Sequence, residues 1–477
     1  MLTAIPAEAT RYQEIAQRLR TAIAAGTYPI GGKLPSVRVL SGQWGIAINT
    51  AVSAYRLLER EGVIAAYPRS GFCVLPTRQS EAPRTPARIE VPAPVDLGDV
   101  ILRSWRNRDQ PGMVSMGMAI PRPELLPIRA LRRHLAVVER EETLACMGYD
   151  TVPGRPELRL AIARRLALAG ATVDPDGILI TNGAQEALHL ALRAICPPGS
   201  CVAVESPAYH GLIQAIGAMG LTCLEIPSSS TTGMSLEALR VALDEHAVAA
   251  VMCMATFSNP SGGSIPAESQ RELVELCSAR GIPLIDDDTY GELAHDGTRP
   301  SVCLAHDRRG TVVHIGSFSK VVAPGLRVGF LVPGRWLKAV QVLKITMNIA
   351  SAVQPQLAIA RLLDTGDFDR HRQRVVPLLG QAVQRCATAV RAQFPAGTRV
   401  SNPAGGLVLW VELPTAVEVN ALYEDAIRAK ICFSPGTLFS ARRRYQHHLR
   451  LNAGWFDPLI ADAISRLGRL AKHHARN

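Results

Sequence analysis

Ser317-Phe318-Ser319-Lys320-Val321-Val322-Ala323-Pro324-Gly325-Leu326-Arg327 is the stretch around which this chain is organised. An apolar run, Thr311–Gly316, leads into it and predicts a buried strand. A lysine at the end of such a strand can lose part of its hydration and act as an amine nucleophile. Ser317 and Arg327 are donors of the kind that bind phosphate. The stretch therefore predicts a site for a phosphorylated carbonyl compound, although a surface loop with a solvated lysine fits the same residues.

Short apolar runs alternate with amphipathic helical patterns from about residue 113 onward. This alternation is typical of an α/β fold with a mostly parallel sheet, in which ligands bind beyond the carboxyl ends of the strands. The predicted strands are Gly177–Thr181, Cys201–Glu205, Ala249–Ala255, Pro283–Asp286, Val312–Gly316 and Val328–Val332. Predicted helices include Glu186–Ile195, Leu236–Leu243, Ala267–Arg280 and Trp336–Thr346.

Polar clusters follow several of these strands. A glycine turn, Asn182-Gly183-Ala184-Gln185, opens a helix, and free backbone N–H groups at a helix start favour an anion such as phosphate. Farther along the chain, Tyr209 can stack on a flat ring, and Asn259, which precedes Pro260, can donate to a ligand oxygen. Each signal also has an ordinary structural explanation: a glycine before a helix, a packed tyrosine, or a simple turn.

Three consecutive carboxylates, Asp286, Asp287 and Asp288, lie where a buried strand is predicted to end. Buried carboxylates are costly unless a cation faces them. A metal ion is one such cation, but no histidine cluster lies near and no second group of carboxylates has ligand spacing, so we expect no metal site. A protonated pyridine nitrogen is another, and a solvated acidic loop is the remaining alternative.

The amino-terminal eighty residues show a different pattern. Helical periodicity and capping signals predict three short helices, followed by a β-hairpin: Tyr12–Ala25, Ser36–Gln43 and Asn49–Arg60, then Val63–Tyr67 and Phe72–Leu75. This order is that of a winged helix-turn-helix, whose third helix enters the DNA major groove. Residues 1–78 hold nine Lys/Arg and four Glu, a balance of +5 out of +11 for the whole chain, which suits DNA. A helical protein-interaction module is the alternative.

This segment resembles the DNA-binding domain of GntR-type bacterial regulators. The residues that carry the resemblance are Gly31–Arg38, Asn49-Thr50, Leu57–Gly62 and Ser70–Val74. The resemblance implies that Arg38, Asn49, Thr50 and Arg69 contact phosphates or base edges of double-stranded operator DNA. One departure is that Ala47 and Ile48 stand where the family usually has a capping serine and often an arginine, which favours phosphate contacts over base readout.

The remainder of the chain resembles fold type I pyridoxal 5′-phosphate (PLP) enzymes over roughly residues 113–477. A glycine turn, an aromatic, Asn-Pro, Asp-x-x-Tyr and Ser-x-x-Lys occur in the family's order. Together with the amino-terminal segment, the whole chain resembles a MocR-type regulator, a GntR subfamily with an aminotransferase-like effector domain. The resemblance implies an α/β fold with a small carboxy-terminal α+β subdomain, and a head-to-tail homodimer.

The same resemblance implies a role for each site residue. Lys320 would form the internal aldimine, a Schiff base with PLP, and Asp287 would pair with the pyridine nitrogen. Tyr290 and Asn259 would bind the ring hydroxyl, and Tyr209 would stack on the ring. The phosphate would be bound by Gly183, Ala184, Gln185, Ser317 and Arg327. Tyr149 would be lent to the phosphate of the partner subunit, and Arg450 would bind an α-carboxylate.

These expectations define the whole chain as three parts: a winged helix-turn-helix domain over 1–77, a linker over 78–112 and the PLP-binding effector domain over 113–477. The proline-rich segment 77–95 is typical of a semi-rigid spacer. We expect a transcriptional regulator that senses PLP or an amino compound. A catalytically active aminotransferase that carries a DNA-binding domain is the alternative.

Composition excludes several other classes of protein. The 477 residues exceed one ordinary domain, and 47% hydrophobic residues suit a globular core. Ten cysteines without a Cys-x-x-Cys pair argue against a zinc site or a disulfide framework. No signal peptide and no apolar run of about 18 residues occurs, so we expect a soluble, cytoplasmic protein.

Overall fold

The structure, a computed structural model, describes residues 11–24, 27–28, 32–61, 63–67, 71–74, 81–85, 91–95, 102, 106–107 and 110–476. The chain forms two compact units, Met1–Glu81 and Ala82–Asn477. Within the described residues, no helix has the length and apolar character needed to cross a bilayer.

The first unit contains the predicted helices and hairpin: α1 (Arg11–Ala24), α2 (Val37–Trp44), α3 (Ile48–Arg60), β1 (Ile64–Tyr67) and β2 (Gly71–Val74). The two strands pair antiparallel, with Ile64 opposite Val74. The Ser36 hydroxyl caps α2 by accepting the Val39 N–H at 3.3 Å. Buried apolar side chains from all three helices and the hairpin form one core, and Tyr55 in its centre donates to the Pro35 carbonyl at 2.6 Å. This packing confirms the winged helix-turn-helix architecture.

A large sheet forms the centre of the second unit. Among the described residues it has eight strands, in the order β4-β11-β10-β9-β8-β5-β6-β7. The strands are β4 (Leu179–Thr181), β5 (Cys201–Ser206), β6 (Thr222–Ser229), β7 (Gly233–Met234), β8 (Val248–Cys253), β9 (Leu284–Asp287), β10 (Val312–Ser317) and β11 (Gly329–Val332). β6, β5, β8, β9 and β10 run parallel, while β11 and β7 are antiparallel to their neighbours. The predicted mostly parallel sheet is confirmed.

Helices cover both faces of this sheet. Successive residues of one strand belong to different core clusters: Leu179 and Leu331 pack on one face, and Ile180 and Phe330 on the other. Burial on both faces is the reason why these strands are continuous apolar runs in the sequence. The helices are Ile128–Glu141, Thr143–Met147, Pro156–Leu168, Ala184–Ile195, His210–Ala218, Leu236–Glu245, Ala267–Ala279, Leu337–Asn348 and Val353–Asp364.

The carboxy-terminal part forms a smaller α+β layer with its own buried apolar core. A four-stranded sheet has the order β12-β13-β16-β15, and the short β14 pairs in parallel with β3 near residue 114. The strands are β3 (Val114–Ser115), β12 (Arg399–Val400), β13 (Val408–Glu412), β14 (Ile431–Cys432), β15 (Ser434–Pro435) and β16 (His448–Asn452). The helices are Asp367–Gln393, Val419–Arg428 and Pro458–His474.

Part of the proline-rich segment packs within the second unit, against its large sheet. Ala93 and Cys223 exchange two backbone hydrogen bonds of 2.9 Å, so residue 93 extends the edge of the sheet beside β6. Nearby, the Arg442 guanidinium donates to the Val91 carbonyl at 2.7 Å. Residues 91–95 are therefore attached to the body of the protein at this edge.

Candidate functional site

A cavity of about 700 Å³ lies beyond the carboxyl ends of the parallel strands. β9 and β10 lie side by side, with Ile315 opposite Asp287, so the polar residues that follow both strands reach this cavity together. Ten of the residues predicted for the site line it: Ala184, Gln185, Tyr209, Asn259, Asp287, Tyr290, Ser317, Lys320, Arg327 and Arg450. Residues separated by more than 250 positions in the sequence are thus brought to one place by the topology of the sheet.

Lys320 lies in the cavity just after β10. Its Nζ donates to the Ala119 carbonyl at 2.7 Å. The pKa of the Lys320 amine is lowered from 10.5 to about 8, mainly by burial and then by the Arg450 charge, while Asp287 acts in the opposite direction. The amine is still mostly protonated at pH 7, but its neutral form, which a nucleophilic lysine needs, is far more populated than in a solvated lysine.

Asp287, the last residue of β9, is the aspartate that faces the cavity. Its carboxylate accepts the Thr289 N–H at 3.0 Å and the Thr289 hydroxyl proton. The pKa of Asp287 is raised to about 6 by burial, although the two hydrogen bonds from Thr289 act to lower it. A cation placed beside Asp287 would restore its charged form, so the site is suited to a protonated ring nitrogen.

The two neighbouring carboxylates, Asp286 and Asp288, bind other groups of the protein. Asp286 accepts the N–H groups of Ala255 and Cys303, each at 3.3 Å, and Asp288 forms an ion pair with Arg299. All three aspartates are buried, so the alternative of a solvated acidic loop is wrong. Only Asp287 of the three lines the described cavity, and it is the aspartate to which the sequence resemblance assigned the pyridine nitrogen.

An anion cradle occupies the end of the cavity near β4. Gly183, with φ 84°, precedes the helix Ala184–Ile195, whose first N–H groups have no partner within the helix. A Cβ atom at Gly183 would come within 2.5 Å of Arg327 Nη2, so glycine allows the guanidinium to pack against this turn. Arg327 Nη1 also donates to the Ser319 hydroxyl at 3.3 Å. With the Ser317 side chain, these donors fit a phosphate group.

Arg450 on β16 is fully buried and also lines the cavity. Its Nη1 donates to Asn259 Oδ1 at 2.7 Å, and its Nη2 donates to the Gly117 carbonyl and to Ser434 Oγ. Asn259 in turn donates to the Tyr290 hydroxyl at 3.5 Å. Burial lowers the pKa of Arg450 from its ordinary value, and an incoming carboxylate would compensate for that burial.

Several residues of the cavity were missed in the sequence. They include His210, Gln214, Thr289, Ser319 and the segment Met118–Ile120. Thr289 and Ser319 lie within the motifs already noted, and their hydroxyl groups were a usable signal. No local pattern marks Met118–Ile120. The pKa of His210 is lowered to about 3, first by burial and then by positive charges that face it, so this imidazole is neutral.

The remaining predicted residues that the structure describes do not line this cavity. Tyr149 is 86% exposed and does not line it, so its contribution to a partner subunit stays a prediction. In the first unit, Arg38 and Asn49 are exposed on α2 and at the start of α3, and Thr50 beside Asn49 is half-buried. Arg69 lies outside the described residues. Ala47 precedes α3 without a side-chain cap, as its departure from the family pattern implied.

Comparisons with known proteins divide the chain in the same way. Residues 124–467 match the family model described as aminotransferase class I and II, and residues 11–74 match that of the bacterial regulatory proteins of the gntR family. The uncharacterized HTH-type transcriptional regulator YdcR of Escherichia coli is 34% identical over 463 residues, which cover 96% of this chain and 98% of that protein.

Two relatives resemble the second unit alone. The 2-aminoadipate transaminase of Thermus thermophilus is 32% identical over 369 residues, 76% of this chain and 91% of that protein. The crystal structure of LysN, an α-aminoadipate aminotransferase of Thermus thermophilus in complex with N-(5′-phosphopyridoxyl)-L-leucine, superposes with a TM-score of 0.72 at 28% identity, covering 80% of this chain and all of that one. This chain therefore belongs to the aminotransferase class I and II family and, with its GntR domain, has the architecture of a MocR-type transcriptional regulator.

Proposed function

We propose that this regulator binds PLP through Lys320 and that PLP, or an amino compound that reacts with it, controls binding to operator DNA. The observation that carries the proposal is that one cavity holds a buried lysine, a buried aspartate and an anion cradle. The family match supports PLP as the cofactor, since class I and II aminotransferases are PLP-dependent.

The residues of the cavity fit this cofactor group by group. Bound PLP supplies an aldehyde that reacts with amines and a protonated ring that withdraws electrons. Lys320 would be the amine that attaches it, and Asp287 would hold the proton at the ring nitrogen. Tyr209 would stack on the ring, while Asn259 and Tyr290 would donate to its hydroxyl oxygen. The glycine turn (Gly183, Ala184, Gln185), Ser317 and Arg327 would hold the phosphate.

Arg450 selects the ligand. Its guanidinium is a planar fork that binds a carboxylate through two parallel hydrogen bonds. We assign it to the α-carboxylate of an amino acid, because Arg450 and Lys320 line the same cavity. The hydrogen bond from Arg450 to Asn259 links the carboxylate position to the ring position.

Control of DNA binding requires that a ligand bind two conformations of the protein with different affinity.

We propose a head-to-tail homodimer, in which Tyr149 of the partner subunit completes each phosphate site. We also propose the boundaries 1–77, 78–112 and 113–477 for the three parts of the chain. DNA contacts are assigned to Arg38, Asn49, Thr50 and Arg69.

The test of the cofactor assignment is an absorption spectrum of the full-length protein with and without PLP, repeated on Lys320→Ala. We expect a visible band that the variant lacks, and a band that survives the substitution would refute the role of Lys320.

For the DNA-binding unit, Arg38→Ala should reduce the salt dependence of operator binding by about one phosphate contact, measured by fluorescence anisotropy.

A second candidate function is transamination, because the 2-aminoadipate transaminase is 32% identical and the cavity holds a lysine, an aspartate and a carboxylate-binding arginine. Sustained conversion of an amino donor and a keto acid, at rates of about 1 s⁻¹ or more, would favour an enzyme. Conversion of one equivalent of amino donor per protein subunit, with no further turnover, would favour a sensor.

A further inference from the structure

A buried ion pair lies behind the anion cradle. Lys344, in the helix Leu337–Asn348, has no exposed side-chain surface. Its Nζ donates to both oxygens of the Glu186 carboxylate, at 2.9 and 3.0 Å, and to Ser351 Oγ at 2.9 Å. All three protons of this ammonium group are therefore used within the protein, although Lys344 and Glu186 are 158 positions apart in the sequence.

Glu186 connects this pair to the phosphate-binding turn. It is the third residue of the helix that begins at Ala184, and its Oε2 accepts the backbone N–H of Asn182. The Asn182 carbonyl accepts Arg327 Nη2 at 3.1 Å. Glu186 thus fixes the backbone on which the phosphate-binding arginine rests.

The charge of Glu186 would oppose a phosphate if it were left alone. Two negative charges near one helix start compete for the same N–H groups and repel each other strongly where water is excluded. Lys344 neutralises Glu186 from the side away from the cavity. Removing one member of such a buried pair leaves an uncompensated charge, which is far costlier than removing both.

The same network continues to the segment that carries Tyr149. Beyond Ser351, the Gln356 amide donates to Asp150 Oδ2 at 2.9 Å and accepts the Arg155 N–H at 2.9 Å. Between Lys344 and Ser351 the chain passes through Ile349 at φ 65°, a costly conformation for a β-branched residue that the contacts on either side must maintain. Both segments assigned to the phosphate therefore rest on one buried polar network.

We propose that Lys344 is a positioning residue for the phosphate group: it neutralises Glu186 and holds the turn 182–186, and so determines phosphate affinity without entering the cavity. This inference rests on the proposed function, because it concerns the same PLP site. It predicts an effect confined to ligands that carry the phosphate.

The test compares PLP with pyridoxal, which has the same ring and aldehyde but no phosphate. Dissociation constants for both are measured by fluorescence titration of the full-length protein and of Lys344→Met. We expect Lys344→Met to weaken PLP binding by at least about tenfold, equivalent to 1.4 kcal/mol, and pyridoxal binding by less than about twofold. The matched control is Lys338→Met, an exposed lysine on the same helix, which should change neither constant.

The double variant Glu186→Gln/Lys344→Met removes both charges and tests the charge argument even if Lys344→Met folds poorly. Its preference for PLP over pyridoxal should return to within about threefold of the wild type, since no unpaired charge remains. Equal losses for both ligands in the double variant, or unchanged PLP binding in Lys344→Met, would overturn the inference. Wild-type protein that binds PLP no more tightly than pyridoxal would instead contradict the proposed phosphate site itself.

Discussion

Replacing Lys320 with methionine is expected to stabilise the cofactor-free protein. Burial holds the pKa of the Lys320 amine at about 8, below its ordinary value of 10.5. At pH 7 the folded protein therefore carries a buried charge that the unfolded chain would keep in water. Methionine has nearly the same length and no charge, so the substitution removes this cost, and we expect it also to abolish the proposed attachment of PLP.

The size of the effect follows from the two pKa values. The difference between 10.5 and about 8, at about 1.4 kcal/mol per pH unit, is roughly 3.4 kcal/mol. Loss of the hydrogen bond to Ala119 offsets about 1 kcal/mol, which leaves a gain of about 2 kcal/mol. For a unit of roughly 400 residues, the unfolding entropy converts this gain into a rise of about 2–3 °C in Tm.

The pH dependence supplies an internal check. Between about pH 8 and 10.5 the unfolded chain binds more protons than the folded one at this lysine, so the stability of the wild type rises with pH. The cost of the buried charge is complete below pH 8 and is gone above 10.5. The advantage of Lys320→Met measured at pH 7 should therefore shrink at pH 9 and vanish near pH 10.5.

The assay is differential scanning calorimetry of cofactor-free protein, with Lys344→Met as the matched control. Burial also lowers the pKa of the Lys344 amine. Replacing Lys344, however, leaves the Glu186 carboxylate buried without its cationic partner. That variant should lose about 3–5 kcal/mol, or about 4–6 °C in Tm. A fall in Tm for Lys320→Met at pH 7, or a gain that does not change with pH, would refute the reasoning.

Three further predictions concern other parts of the protein. Arg450→Met should weaken binding of an amino acid to the PLP-loaded protein by at least about 30-fold and leave an amine without a carboxylate unaffected, as followed by spectral titration. Thr289→Val removes a hydrogen bond to Asp287, so the pKa of that carboxyl should rise, and PLP affinity should begin to fall at higher pH than in the wild type. Ala93→Pro removes a backbone N–H that bonds to the sheet edge and should speed tryptic cleavage of the linker, whereas Ala82→Pro, at an exposed position that does not follow a lysine or arginine, should not.

Local patterns in the sequence predicted the framework of the site. The strand before Lys320, the glycine turn and the spacing from Asp287 to Tyr290 are encoded by residues that are neighbours in the chain. The predicted boundaries of β5, β9 and β10 agree with the structure to within one or two residues. β6 was not predicted, because Thr222–Ser229 mixes apolar residues with Glu225, Pro227 and two serines.

The sequence by itself determined that this chain has a winged helix-turn-helix followed by an aminotransferase-like α/β domain. Helical periodicity, the apolar runs of buried strands and the residue types of turns are all local patterns, which can be read from residues that are close together in the chain. Only the tertiary structure decided that Lys344 pairs with Glu186 and that Ala93 joins the edge of the sheet. These partners come from distant parts of the chain. Contacts between residues that are 100 or more positions apart leave no periodic or compositional mark in one sequence, since they depend on how the elements pack and not on any local pattern.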